Sequence, residues 1–146
     1  MEKAIELVPD FLQAYDDLSN VYERLGEQQK FRDLMYRVLE IYPQHLTQHP
    51  DDAYRRMAFA VNLTYVGRND EARREGEKAL ELSQGDPIMM YYGACLYSRL
   101  KEPKRAAEWL KNAVTNGYEN FEWIKRDPDF DGIRNEPEYI ELLKGK

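Results

Sequence analysis

Residues 58–82 read AFAVNLTYVGRNDEARREGEKALEL, and this stretch decides the fold. Phe59, Ala60 and Leu63 fall on one face at helical spacing, and Val66-Gly67 breaks the run. Ala72, Gly76 and Ala79 then mark a second helical face. Working outward, the same design recurs on both sides. Before it, Tyr15, Leu18, Ser19 and Tyr22 precede a Leu25-Gly26 break, and Phe31, Met35 and Val38 follow. After it, Gly93, Ala94 and Tyr97 precede Leu100-Lys101, and Ala106, Leu110 and Ala113 follow. Small residues recur where the two helices of a pair would cross closely, at Ser19, Ala60 and Ala94 and at Val38, Ala79 and Ala113. Pro9 and Pro43 lie 34 residues apart, as do Ala79 and Ala113. Val38 and Ala79 are 41 apart, so seven residues are inserted, and the polar segment 44–52 containing Pro50 is where a lengthened loop is expected. A helix pair of this size cannot bury its apolar faces alone and must stack on its neighbours.

The period, the two-helix unit and the small-residue positions resemble tetratricopeptide repeats, TPRs. The resemblance implies an all-α fold, a right-handed superhelical solenoid of antiparallel helix pairs. It divides residues 1–146, read as a single domain, into the tail of a preceding repeat (1–11), repeat 1 (12–43), the inserted loop (44–52), repeat 2 (53–86), repeat 3 (87–118) and a C-terminal cap (119–146). Three positions depart from the family pattern. Arg56 stands where a large apolar residue is usual, Lys101 replaces the turn glycine, and Gln84 replaces the closing proline. The closing run Asn116-Gly117-Tyr118-Glu119-Asn120-Phe121-Glu122-Trp123, followed by Asp127-Pro128-Asp129-Phe130 and Pro137-Glu138-Tyr139, is similar to segments that end TPR arrays in bacterial and archaeal multidomain signalling proteins. It reads as a short helix, a turn and a last helix covering the open end of the solenoid. An array that starts inside a helix pair and ends in a cap is expected to be either the C-terminal portion of a longer protein or a degenerate short member of the family.

Composition narrows the function. The 146 residues carry a net charge of -6, with 42% hydrophobic and 33% charged residues. No stretch approaches the roughly 20 apolar residues a membrane span needs, and the N-terminus lacks an apolar signal core. The lone cysteine, Cys95, excludes an internal disulfide and suits a reducing, cytoplasmic compartment. An acidic chain is a poor nucleic-acid ligand, because phosphate binding needs a basic face. Neither a membrane nor a nucleic acid is therefore an expected partner. The acidity is concentrated between residues 127 and 141, where six carboxylates face Arg134 alone.

Candidate chemistry is sparse. Asp127, Asp129, Asp131 and Glu138 fit the D-x-D-x-D-G-x₅-E pattern of a calcium loop, with carboxylates at alternating positions and a closing glutamate. Pro128 and Pro137 stiffen that loop, and Arg134 stands where such a loop places an aliphatic residue. The cap reading accounts for the same residues. His45 and His49 share the spacing of zinc ligands on a helix but have no third partner in view. No glycine-rich phosphate loop, nucleophile elbow or cysteine–histidine constellation is present in the sequence. No enzyme activity and no cofactor are expected.

What is left is the concave surface. In the TPR arrangement the first helix of each pair lines the inside of the superhelix. The resemblance places Asn20, Tyr54, Met57, Val61, Tyr65, Ile88, Tyr91, Cys95 and Arg99 there. A TPR subclass grips the C-terminal carboxylate of heat-shock chaperones with Lys, Asn and Arg at such positions. Only Asn20 matches it, since Asp16, Ala58, Ile88 and Tyr92 occupy the others. The expected function is protein–protein interaction in a signalling or regulatory assembly, with a partner peptide or helix docked on a tyrosine-rich floor and Asn20 and Arg99 as polar anchors. Large side chains that are cheap to order suit such recognition. Three alternatives stay open: Tyr54, Met57, Tyr91 and Tyr92 are simply core, the chain is a structural spacer or self-association unit, a homodimer, or residues 127–138 make it a calcium-responsive module.

Overall fold

The computed structural model describes residues 12–146. The expected repeat tail, 1–11, and the side chain of Asp16 lie outside what it describes. The described residues form helices joined by short turns, with no strand. Three helix pairs come first: α1 (Leu12–Leu25) with α2 (Gln28–Gln48), α3 (Ala53–Tyr65) with α4 (Asn69–Leu82), and α5 (Pro87–Arg99) with α6 (Pro103–Thr115). A short α7 (Phe121–Arg126), a 3₁₀ segment (Pro128–Ile133) and α8 (Pro137–Leu143) complete the chain. Each pair packs internally and against the next: α2 on α3, and α3 and α4 on α5. The 3₁₀ segment then packs on α5 and α6, and α8 on α6. This is an all-α repeat solenoid.

The sequence shows why the pairs turn where they do. Gly26 and Gly67 take left-handed backbone, with φ of 71° and 77°, between the two helices of their pairs. Asp52 and Asp86 cap α3 and α5, their carboxylates accepting from the N–H of Arg55 at 3.0 Å and of Ile88 at 2.9 Å. Ala60, Ala72, Ala79, Ala94, Ala106 and Ala113 are buried completely, so adjacent helix backbones approach closely. At Gly76 a Cβ would sit 2.0 Å from Leu96 Cδ2, so any larger residue there requires the buried Leu96 side chain to shift.

One expected boundary is corrected. Residues 44–48 are not loop: α2 runs through Pro43 to Gln48, and only residues 49–52 connect it to α3. Proline costs the helix one hydrogen bond. The apolar period continues past it, with Tyr42 and Leu46 both buried, and burial outweighs that loss. Thr47 Oγ1 donates to the carbonyl of Pro43 at 2.8 Å, and the seven extra residues lengthen a helix of 21 residues rather than a loop.

Arg56, the departure in repeat 2, is accommodated by a partner. Its Nη1 lies 2.7 Å from Glu75 and its Nη2 donates to the Pro50 carbonyl at 2.8 Å. Lys101 adopts the left-handed backbone itself, with φ of 62°.

Candidate functional site

The first helices of the pairs, α1, α3 and α5, border a groove of about 470 Å³. Its apolar wall comes from Phe31, Met57, Ala58 and Val61, and its aromatic surface from Tyr54, Tyr65, Tyr91, Tyr92 and Trp123. Ser19, Asn20, Asn62 and the carboxylates of Glu23, Asp127 and Asp129 complete it. Asn20, Tyr54, Met57, Val61, Tyr65, Tyr91 and Cys95 thus lie together along one groove, as their shared inward register suggests.

They do not play one role. Met57, Tyr91 and Cys95 are buried and form the floor, so the core reading holds for Met57 and Tyr91. Tyr54 is 48% exposed and Tyr65 38%, which leaves them at the lip. Ile88 is exposed and lies outside the groove's lining. Arg99 also lies outside it, in a neighbouring cavity of about 540 Å³ shared with Thr64, Ser98 and Asp129. There Arg99 Nε donates to Thr64 Oγ1 at 2.8 Å, and its Nη1 pairs with Asp129 at 3.0 Å. Its guanidinium stacks 3.9 Å above the Tyr65 ring.

The closing segment enters the groove, which the reading of the stripes alone misses. Trp123 is 42% exposed at its edge. Asp127, which caps the 3₁₀ segment by accepting from the N–H of Asp129 at 2.9 Å, is 5% exposed. Tyr91 Oη donates to its Oδ2, and Cys95 Sγ lies 3.8 Å from the same oxygen. The Tyr91 ring is stacked on Tyr118 with centroids 4.4 Å apart, and it meets Phe130 edge-on at 5.4 Å. Burial, and then the hydrogen bond to Asp127, pushes the Tyr91 phenol far above the ordinary tyrosine range, so it stays a donor. Burial likewise holds the Cys95 thiol protonated and therefore poorly nucleophilic. Burial raises Asp129 against the opposing pull of Arg99.

The carboxylates of the calcium pattern go separate ways. Asp127 faces Tyr91 and Cys95, Asp129 pairs with Arg99, Asp131 pairs with Arg134 at 3.1 Å, and Glu138 is exposed in the first turn of α8. The segment between is a 3₁₀ helix. The group of acid and thiol ligand atoms gathered within 4.8 Å among the described residues is Cys95, Asp127 and Asp129. All three already have hydrogen-bond partners in the fold. His45 and His49 lie side by side, ring centroids 4.8 Å apart, and His45 Nε2 is 2.7 Å from Asp52. No helix among the described residues is long and apolar enough to cross a membrane.

Comparison with known proteins agrees with this architecture. Residues 11–51, which span α1 and α2, match the family model described as tetratricopeptide repeat. A protein of Arabidopsis thaliana whose name marks it as chloroplastic is 31% identical over 101 residues, an alignment that takes in 66% of this chain. The chain spans only 29% of that relative's length. The repeat match supports a generic protein–protein interaction module. The family match over α1 and α2 and the stacked helix pairs of the described residues support a tetratricopeptide-repeat architecture.

Proposed function

We propose that the chain binds a peptide or helix of a partner protein in the groove between α1, α3 and α5, as a non-enzymatic module of a cytoplasmic signalling or regulatory assembly. One observation carries this reading: a groove of about 470 Å³ keeps Tyr54, Tyr65 and Trp123 substantially exposed above a buried floor of Met57 and Tyr91. Large aromatic side chains left open to water around a preformed depression cost little to order on binding and contribute much contact area. The signalling context rests on the closing segment alone, and the cytoplasmic placement on the single buried thiol.

The test is site-specific photocrosslinking. A benzophenone amino acid placed at Tyr54 is expected to give discrete cross-linked species in source lysate. The same group at Tyr36, an exposed residue of α2 outside the groove, is expected to give none of them. Identical patterns from both positions would remove the groove as the docking surface. Cross-links from Tyr54 only to a second copy of the chain would establish self-association instead.

A further inference from the structure

Resting on the groove as docking surface, we infer that its partner presents an arginine or lysine side chain, flanked by apolar residues, to the rings and carboxylates of the groove. Three carboxylates line it, and no cationic side chain among the described residues does. Asp127 is the decisive one. Its oxygens accept from Tyr91 Oη, Cys95 Sγ and the Asp129 N–H, all neutral donors, and Arg134 reaches only its backbone carbonyl, at 3.0 Å. Among the described residues no ion pair reaches its side chain, so a buried carboxyl group stands at the groove floor without a cationic partner. Glu23 adds an exposed carboxylate with no ion-pair partner among the described residues.

The aromatic geometry suits the same ligand. The Tyr54 and Tyr92 rings meet at 67° with centroids 6.0 Å apart, and Trp123 offers a half-exposed indole. Ring faces attract cations, and most strongly where water is excluded. The molecule already uses this combination: Arg99 lies on the Tyr65 face and pairs with Asp129, and Arg134 lies over Tyr139 and pairs with Asp131. Arg55 stands over the Tyr54 ring itself, 5.4 Å from its centroid. An acidic peptide would instead meet uncompensated like charge, and a wholly apolar one would leave Asp127 without a cation. Phe31, Met57 and Val61 supply the surface for apolar neighbours of the basic residue.

Selection of a phage-displayed random peptide library on the full chain tests this. Enriched peptides are expected to share one arginine or lysine beside an apolar residue. Replacing that residue by neutral citrulline or acetyl-lysine should weaken binding about tenfold. Glu23→Gln should weaken it several-fold with the unfolding midpoint unchanged. Enriched peptides whose common feature is acidic or neutral would overturn the cationic assignment and leave the groove as docking surface. No enrichment, or equal enrichment on a folded Tyr54→Ala/Trp123→Ala variant, would overturn both. Binding that weakens as the chain becomes dimeric would show that a second copy owns the groove.

Discussion

Tyr91 donates a hydrogen bond to Asp127, joining the middle of the last repeat to the segment that closes the solenoid, 36 residues further along the chain. Both residues are buried. The pair fixes the depth to which the cap enters the groove, because Asp127 also starts the 3₁₀ segment carrying Phe130 and Ile133 into the core. Cap and groove are therefore one unit.

Tyr91→Phe keeps the ring stacked on Tyr118 but removes the donor, leaving a buried carboxylate short of one partner. Such a loss costs about 1–3 kcal/mol. Denaturant unfolding should show that decrease with an unaltered slope. A variant as stable as the parent would mean that the hydrogen bond contributes nothing to holding the cap.

Alkaline pH should act on the same pair. The Tyr91 phenol is raised above its ordinary value of 10.0 by burial and by Asp127, and Tyr97 is pushed up to about 12 by burial and by Glu77. The native state keeps these protons where the unfolded chain has lost them. Their contribution is complete below pH 10 and is lost as pH rises above it, at roughly 1.4 kcal/mol per pH unit for each group. Unfolding midpoints measured across this range should fall, and more gently in Tyr91→Phe. Equal slopes in the two proteins would contradict the assignment.

Lys101 occupies the left-handed turn position that Gly26 and Gly67 hold in the other pairs, with φ of 62°. A side chain there costs the native state about 1–2 kcal/mol, while glycine adds about 0.4–1 kcal/mol of unfolded-state entropy. Lys101→Gly should therefore raise stability by about 0.5–1 kcal/mol, read as a higher unfolding midpoint. A lower midpoint would show that Lys101 makes a compensating contribution.

Glu75 is the counter-ion of Arg56, whose Nε is buried without a hydrogen-bond partner. Glu75→Ala strands that charge and should cost about 1–3 kcal/mol. Arg56→Met restores an apolar residue at this position and should cost less, since removing the half-buried charge also removes its desolvation penalty. If Arg56→Met proves the more damaging change, the ion pair is a net source of stability.

The two-helix units were legible because their signal is local. Ala60, Ala79, Ala94 and Ala113 recur at a fixed period, and all four are buried at helix crossings. The groove residues Tyr54, Met57, Val61 and Tyr65 were legible for the same reason, being one face of one helix. Ile88 and Arg99 share that kind of spacing but sit at the two ends of α5, beyond the groove's lining. The apolar period through Tyr42 and Leu46 was also in the sequence, but Pro43 read as a stop.

By itself, then, the sequence determined an all-α chain of stacked helix pairs, since the periodicity of apolar and small residues specifies which faces must be buried. Tertiary structure alone decided that α2 survives Pro43, because the offsetting burial comes from other helices. It alone decided that Trp123 and Asp127 complete the groove. Residues 36 positions apart meet only because the cap folds back over α5, and no local pattern encodes where two packed elements place their side chains.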